Sequence, residues 1–169
     1  MSCVSMLVSG KKIYAASDSL ASCDDFTISI KTEKVFRNKN YIIGYAGAIR
    51  HGQLIRRISK QIEKIEIEYI PDIIFDTLKD GKCILDKDVE FQLIIGNKGN
   101  LYGVDNMFQL IEFGDNYHSI GSGSFFALGV LYSLNDEKID PLTKVIKSIE
   151  AAIKFSPSVG GDIKTMVFP

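Results

Sequence analysis

The chain has 169 residues, of which 46% are hydrophobic and 24% charged, and its formal net charge is −1. This balance is typical of a soluble globular protein, and the length fits one domain over residues 1–169. Because acidic and basic residues nearly cancel, the charge gives no support to nucleic acid or an anionic membrane as a partner. The three cysteines match neither a disulfide framework nor a zinc site, and no membrane span or secretory signal stands out. We therefore expect a cytoplasmic protein that uses no metal and no cofactor.

The first two predicted strands, Ser2–Val8 and Ile13–Ala16, are separated by a tight turn at Gly10. Together they predict an antiparallel hairpin, in which the numbers of opposed residues have a constant sum. A turn near Gly10 sets that sum at about 20, within one. Asp18 is then expected opposite Ser2 or one residue away. If the initiator methionine is removed, a hydroxyl, a free α-amine and a carboxylate come together at Ser2.

The rest of the chain alternates between groups of strands and pairs of helices. Polar residues 20–32 predict a loop. Strands are predicted at 34–37, 41–46, 89–95, 101–104, 108–113, 117–120 and 163–168, and helices at 49–66, 71–79, 125–134 and from Pro141 onwards. This order favours an α+β fold with two antiparallel sheets and helices packed outside them.

Five sequence blocks carry a family resemblance. They are residues 2–22 (SCVSMLVSGKKIYAASDSLAS), 32–37 (TEKVFR), 42–54 (IIGYAGAIRHGQL), 117–131 (YHSIGSGSFFALGVL) and 156–161 (SPSVGG). In this order and spacing they resemble the proteasome β-subunit and HslV-type family of N-terminal nucleophile hydrolases. The resemblance covers nearly the whole chain, and it implies a four-layer αββα sandwich with helices on both outer faces.

The resemblance also implies a site. In that family the first residue of the mature chain is a nucleophilic threonine, followed at intervals of sixteen residues by an aspartate and a lysine. Ser2, Asp18 and Lys34 reproduce both intervals. Ser2 would therefore be the nucleophile, Lys34 a buried lysine beside it, and Asp18 the carboxylate that holds this lysine.

Three further roles follow from the matched blocks. Gly47 would supply an oxyanion-hole amide and bind substrate. Ser122 would hydrogen-bond near the α-amine, and the backbone of Ser22 would align a bound peptide. The chain departs from the family in having serine as the nucleophile. Many members also carry an aspartate that orients the Gly-Ser-Gly serine, and here Ser156 takes its place.

Single residues keep other interpretations. Taken alone, Asp18 fits a turn, Lys34 an exposed strand position, Gly47 a strand end and Ser122 a helix cap. Cys3 competes with Ser2 as nucleophile, but this choice would break the sixteen-residue spacing.

The two histidines are interpreted as non-catalytic. His51 and His118 are far apart in sequence, and no third partner accompanies them.

The chemistry explains why a serine at the amino terminus suits catalysis. A serine hydroxyl is a weak nucleophile until a base takes its proton. A free α-amine has a pKa near ~7.7–8.0, so it can be that base at neutral pH. A lysine ammonium beside it would lower the pKa of the α-amine further, because like charges repel.

We therefore expect a proteasome- or HslV-like peptidase whose nucleophile is exposed by removal of Met1. The expected partners are a polypeptide substrate, further copies of the chain in a homo-oligomeric ring, and an ATPase unfoldase. An alternative is a catalytically inactive structural or assembly subunit of the same fold. A second alternative is a small-molecule amidase, since fold does not fix function.

Overall fold

The computed structural model describes residues 2–23, 26–83 and 91–169. The strands are β1 (Val4–Ser9), β2 (Lys12–Ser17), β3 (Leu20–Cys23), β4 (Phe26–Ser29), β5 (Val35–Arg37), β6 (Ile42–Gly47), β7 (Phe91–Asn97), β8 (Asn100–Val104), β9 (Leu110–Glu112), β10 (Tyr117–Ile120) and β11 (Lys164–Phe168). The helices are α1 (Ile49–Arg57), α2 (Ser59–Ile62), α3 (Ile70–Asp80), α4 (Ser124–Leu134) and α5 (Pro141–Phe155), with a short 3-10 turn at Ile67–Tyr69.

Most strands belong to two antiparallel sheets. The first sheet has the order β10-β1-β2-β11, and the second has the order β5-β6-β7-β8-β9. Strands β3 and β4 form a separate antiparallel hairpin. Strand β1 is therefore an inner strand, with neighbours on both sides.

Successive side chains of the inner strands point to opposite faces of their sheets, and this alternation produces four layers. Met6 packs between the two sheets, whereas the next residue, Leu7, faces the cluster that contains α4 and α5. Ile42 likewise lies between the sheets, and Ile43 faces the cluster that contains α1 and α3. Because successive side chains of a strand point to opposite faces, each sheet is covered on both sides. This arrangement is the αββα sandwich that the family resemblance implies, and it agrees with the two antiparallel sheets and outer helices predicted from the element order.

The predicted hairpin register is confirmed. Val4 pairs with Ser17, so opposed residues sum to 21, within one of the expected value. Asp18 consequently lies opposite Cys3, whose carbonyl accepts a hydrogen bond from the Asp18 N–H at 3.2 Å. The hairpin places Asp18 one residue from Ser2.

Two of the predicted elements are wrong. Residues 20–32 contain the hairpin β3–β4 rather than a loop. Strand β4 has the alternating sequence Phe-Thr-Ile-Ser, but it is only four residues long and its Ile28 is exposed, so the alternation gives only a weak signal for a strand. The predicted helix 49–66 is broken at Ile58, which has φ −89° and ψ 8°.

The remaining predicted elements agree with the structure to within a few residues. The predicted strand 89–95 is observed as β7, and residues 89 and 90 lie outside the described residues. Within the described ranges, no helix combines the length and the apolarity needed to cross a membrane.

The close approach of the two sheets can be tested at Gly44. A Cβ atom there would lie 2.7 Å from Val4 Cγ1 and 3.0 Å from Ile94 Cγ2. We expect Gly44→Ala to lower the free energy of unfolding by about 1–3 kcal/mol, because the added methyl overpacks the space between the sheets. Chemical denaturation measures this change.

Gly114→Ala is the matched control, since a Cβ at this exposed glycine meets nothing within 4 Å. We expect it to change stability by less than about 0.5 kcal/mol. Equal stability of Gly44→Ala and Gly114→Ala would contradict the packing described here.

Candidate active site

The carboxylate of Asp18 is the centre of the candidate site. Asp18 is 1% exposed, and both of its oxygens accept hydrogen bonds. Oδ1 accepts from the Cys3 N–H at 2.9 Å and from Lys34 Nζ at 2.8 Å. Oδ2 accepts from the backbone N–H groups of Leu20 and Gly160, each at 3.2 Å. A buried carboxylate needs such partners, because burial of an unpaired charge is costly.

Lys34 lies immediately before β5 and is 3% exposed. Its ammonium donates to Asp18 Oδ1 and, at 2.6 Å, to the carbonyl of Leu20. Burial lowers the pKa of Lys34 from its ordinary value, and the negative charge of Asp18 opposes this change. The Lys34 carbonyl accepts from the Tyr45 N–H at 2.9 Å, so the lysine is also tied to β6.

Ser2 is 3% exposed and lies just before β1. Its carbonyl accepts from the Gly123 N–H at 3.3 Å and from Ser122 Oγ at 3.4 Å. The N–H of the same peptide group belongs to Cys3 and donates to Asp18. The peptide group that follows the candidate nucleophile is thus fixed at both ends.

Gly121 brings β6 close to Ser2. A Cβ atom at Gly121 would lie 2.2 Å from the Ser2 carbonyl oxygen and 3.0 Å from Ala46 Cβ. Gly121 also has φ +92°, so a side chain is excluded both by space and by backbone conformation. Ala46 is therefore near Ser2, and Gly47, which follows it at the end of β6, has φ +125°.

Ser122 is linked to two further serines. Its Oγ lies 2.9 Å from Ser158 Oγ, which in turn lies 3.2 Å from Ser156 Oγ. Ser156, which stands where many family members have an aspartate, is linked to Ser122 through Ser158. The sequence gives no signal for the contact of Ser158 with Ser122, because Ser156 and Ser158 flank the same proline.

Ser22 lies on β3, where it pairs with Thr27 of β4. Leu20, at the start of the same strand, contributes its N–H to Asp18 and its carbonyl to Lys34. The structure thus brings Ser2, Asp18, Lys34 and Ser122 together through hydrogen bonds. Gly47 is adjacent through Ala46, and Ser22 follows Leu20 along β3.

Cys3 is a poor nucleophile in this environment. It is fully buried, and burial raises the pKa of its thiol to about 11. Its sulfur contacts Ser119 Oγ at 3.6 Å, and Ser119, Ser5 and Ser148 form a buried hydroxyl cluster beneath β1. No sequence signal links these three serines, because Ser5 is more than 100 residues away from both Ser119 and Ser148.

The two histidines pack against aromatic rings. His118 stacks on Phe113 with ring centroids 3.7 Å apart, and His51 meets the edge of Phe91 at 5.5 Å. Burial lowers the pKa of both imidazoles. Among the described residues, no group of three or more His, Cys, Asp and Glu side chains could hold a metal ion.

Comparison with solved structures identifies the fold. The chain matches BPH (bacterial proteasome homologue) from Thiobacillus denitrificans with a TM-score of 0.82 and 19% identity, over 98% of this chain and 97% of that chain. BPH in complex with epoxomicin matches with a TM-score of 0.81 at the same identity and coverage. Eukaryotic HslV from Trypanosoma brucei matches with a TM-score of 0.74 and 18% identity, over 98% of each chain.

These matches establish the fold, which is the one implied by the five-block resemblance. By sequence, no family model and no curated protein matches the chain.

The buried ion pair can be tested with a double-mutant cycle. We expect Asp18→Asn to lower the free energy of unfolding by roughly 3–5 kcal/mol, because it leaves the Lys34 ammonium buried without its counter-charge. Lys34→Met should also destabilise the protein. The double variant should lose less stability than the sum of the losses in the two single variants, since neither charge is then buried without its partner.

The exposed pair of Lys164 and Asp162, 3.4 Å apart, provides the control. We expect Asp162→Asn to change stability by less than about 0.5 kcal/mol. Additive losses in the double variant of Asp18 and Lys34 would contradict a coupled buried pair.

The Cys3 thiol predicts a pH dependence of stability. Its pKa is about 11 in the folded protein and 9.0 ordinarily, so between these values the unfolded chain releases a proton that the folded chain keeps. The free energy of unfolding is therefore unaffected by this group below pH 9, and it falls by roughly 2–3 kcal/mol as the pH rises to about 11. Denaturation of wild type and Cys3→Ala from pH 8 to 11 measures the difference. A constant difference across this range would contradict the prediction.

Proposed function

We propose that this protein is a peptidase that hydrolyses peptide bonds with Ser2 as its N-terminal nucleophile after removal of Met1. One observation carries the proposal: the Asp18 carboxylate binds both the Cys3 N–H and the Lys34 ammonium. A lysine charge is thereby held one residue from Ser2. The fold neighbours BPH and HslV agree with this class of reaction.

The proposed reaction begins at the α-amine of Ser2. The amine takes the proton of the Ser2 hydroxyl as Oγ attacks the carbonyl carbon of the substrate peptide bond. The Gly47 N–H stabilises the resulting oxyanion, a contribution typically worth ~10²–10³ in rate. The ammonium of Ser2 then returns the proton to the leaving amine, and the C–N bond breaks to give an ester on Ser2. Water, activated by the same amine, hydrolyses this ester.

Lys34 has an electrostatic role in this scheme. Its positive charge disfavours protonation of the α-amine and stabilises negative charge on the Ser2 oxygen. Asp18 keeps the ammonium in place and compensates for its burial. Neither residue exchanges a proton with the substrate.

The substrate is proposed to bind as an extended strand. Among the described residues, β3 pairs on one side with β4, and on its other edge Leu20 is bonded to Asp18 and Lys34. The peptide is proposed to bind along that edge beyond Leu20. A peptide on that edge would use the backbone of Ser22 and of Gly47, and main-chain hydrogen bonds would align it largely independently of its side chains.

The proposal includes assembly into a homo-oligomeric ring in the cytoplasm, supplied with unfolded chains by an ATPase. Phe125 is 84% exposed and Phe126 is 42% exposed at the start of α4, and the ring of Phe126 lies 5.7 Å from that of Phe155. Exposed apolar patches of this kind are typical of protein contacts. Leu128 and the 49–65 segment are the other proposed contacts.

An inactive subunit of the same fold is the second candidate. It is favoured by the serine at the nucleophile position and by the hydroxyl of Ser158 as the group that contacts Ser122. A serine hydroxyl carries no charge, so it orients its neighbour less strongly than a carboxylate does.

Mass spectrometry of the N-terminus and a peptide-hydrolysis assay test the proposal. We expect a mature chain that begins at Ser2 and cleaves a fluorogenic peptide. Ser2→Ala should reduce turnover by roughly 10³-fold or more, because it removes the nucleophile. Ser9→Ala is the control, since Ser9 is an exposed serine at the far end of β1, the strand that follows Ser2. A retained Met1, with no turnover in any variant, would refute the proposal.

Covalent labelling separates the two candidates. A hydroxyl-directed covalent inhibitor should add one molecule per chain at Ser2 in the active peptidase and none in an inactive subunit. Epoxomicin, which is bound to BPH in one of the matched structures, is expected to compete with this labelling.

A further inference from the structure

The segment 156–161 contacts several parts of the candidate site. Ser158 Oγ lies 2.9 Å from Ser122 Oγ. The Gly160 N–H donates to Asp18 Oδ2 at 3.2 Å, and the Gly160 carbonyl accepts from the Ser19 N–H at 3.1 Å. One short segment therefore fixes the distance between the hydroxyl of Ser122 and the carboxylate of Asp18.

Ser158 belongs to a chain of three hydroxyls that ends at Ser2. The successive distances are 3.2 Å from Ser156 to Ser158, 2.9 Å from Ser158 to Ser122, and 3.4 Å from Ser122 to the Ser2 carbonyl. Ser156 and Ser158 are 6% and 7% exposed, whereas Ser122 is exposed. Two buried hydroxyls thus hold an exposed one against the candidate nucleophile.

We propose that Ser158 is a positioning residue, which together with Ser156 holds the Ser122 hydroxyl beside Ser2 through an uncharged and reversible hydrogen-bond chain. The inference rests on the proposed function, since it requires a free α-amine on Ser2. In both hydroxyl–hydroxyl contacts either oxygen can be the donor. These two contacts can therefore point in either direction without moving an atom heavier than hydrogen: Ser122 either donates to the Ser2 carbonyl and accepts from Ser158, or donates to Ser158 and turns a lone pair towards Ser2.

The direction of these hydrogen bonds must be reversible, because the α-amine alternates between its protonated and its neutral form during the proposed reaction. Covalent geometry keeps an α-amine within ~4 Å of the carbonyl oxygen of its own residue, and Ser122 Oγ lies 3.4 Å from that oxygen, so the hydroxyl is at most ~7 Å from the amine. When the amine is protonated, Ser122 can accept from it, directly or through one bridging water, and donate to Ser158. When the amine is neutral, the same hydroxyl can donate towards Ser2. Each state is accommodated by rotation of hydroxyl groups.

Among the described residues, Asp18, Lys34 and the thiol of Cys3 are titratable groups close to Ser2, and the hydroxyl chain adds no charge to them. A carboxylate at position 158 would lie beside Ser122 and attract the ammonium form of the amine. It would raise the pKa of the α-amine, so that at any pH below the new pKa a smaller fraction of the amine would be in the neutral form that acts as a base. The neutral chain is therefore suited to an amine that acts as a base near neutral pH.

The experiment compares Ser158→Ala, Ser158→Thr, Ser158→Asp and Ser156→Asp with a control, Ser133→Asp. Ser133 is an exposed serine of α4 whose hydroxyl bonds to the Val130 carbonyl at 3.0 Å. Each protein is verified by mass to begin at Ser2. The pKa of the α-amine is obtained from the ¹³C shift of Ser2 in serine-labelled protein, and kcat and KM are measured across pH with a fluorogenic peptide.

We expect Ser158→Asp to raise the pKa of the α-amine by about one unit and to shift the acidic limb of the rate profile by the same amount. Ser156→Asp should produce a smaller rise, because its carboxylate is one hydroxyl further away. Ser133→Asp should produce none. Ser158→Ala should lower kcat about tenfold with KM unchanged, and Ser158→Thr should restore kcat to within about threefold.

Failure of this inference is distinguishable from failure of the proposed function. Turnover with the same α-amine pKa in all variants, or with wild-type kcat in Ser158→Ala, would overturn the inference alone. A free α-amine whose pKa follows the expected order, in a protein without turnover, would overturn the proposed function alone. A retained Met1 would overturn both. If Ser158→Asp does not fold, Ser156→Asp and Ser158→Ala still decide the outcome.

Discussion

The hydrogen bonding of one buried carboxylate determines how the candidate site is assembled. Asp18 accepts from Cys3, Leu20, Lys34 and Gly160, which belong to separate segments of the chain. A buried ion pair contributes little net stability, because desolvation offsets the attraction between its charges. Its value lies in geometry, since any displacement of one segment would leave a buried charge or a buried backbone group without a partner.

The layers of the fold supply the surroundings that this carboxylate requires. Apolar alternation along β1 and β6 packs the two sheets together, and Gly44 lets them approach closely beside Val4. Gly121 permits the same approach at the Ser2 end of the strands. Core packing therefore sets the distance between Ser2 and β6, while polar contacts set the orientation of the groups around it.

The sequence predicted the parts of the site that depend on local geometry. A hairpin with a short turn fixes its own register, so the position of Asp18 beside Cys3 followed from the turn at Gly10. The contact between Ser122 and Ser158 joins residues that are distant in sequence, and no local pattern distinguishes Ser158 from neighbouring Ser156. The Gly160 N–H is a backbone donor, which any residue except proline carries. The β3–β4 hairpin was missed because each of its strands has only four residues, too few for a clear hydrophobic period.

The partners of Asp18 also determine when the site can exist during synthesis. Gly160 is separated from Asp18 by 142 residues, and β1 obtains its outer neighbour only from residues 117–120. A ribosome that has made the first hairpin has therefore made Ser2, Asp18 and soon Lys34, but not the segments that complete their arrangement. The nascent chain therefore carries Ser2, Asp18 and Lys34 long before it can align them.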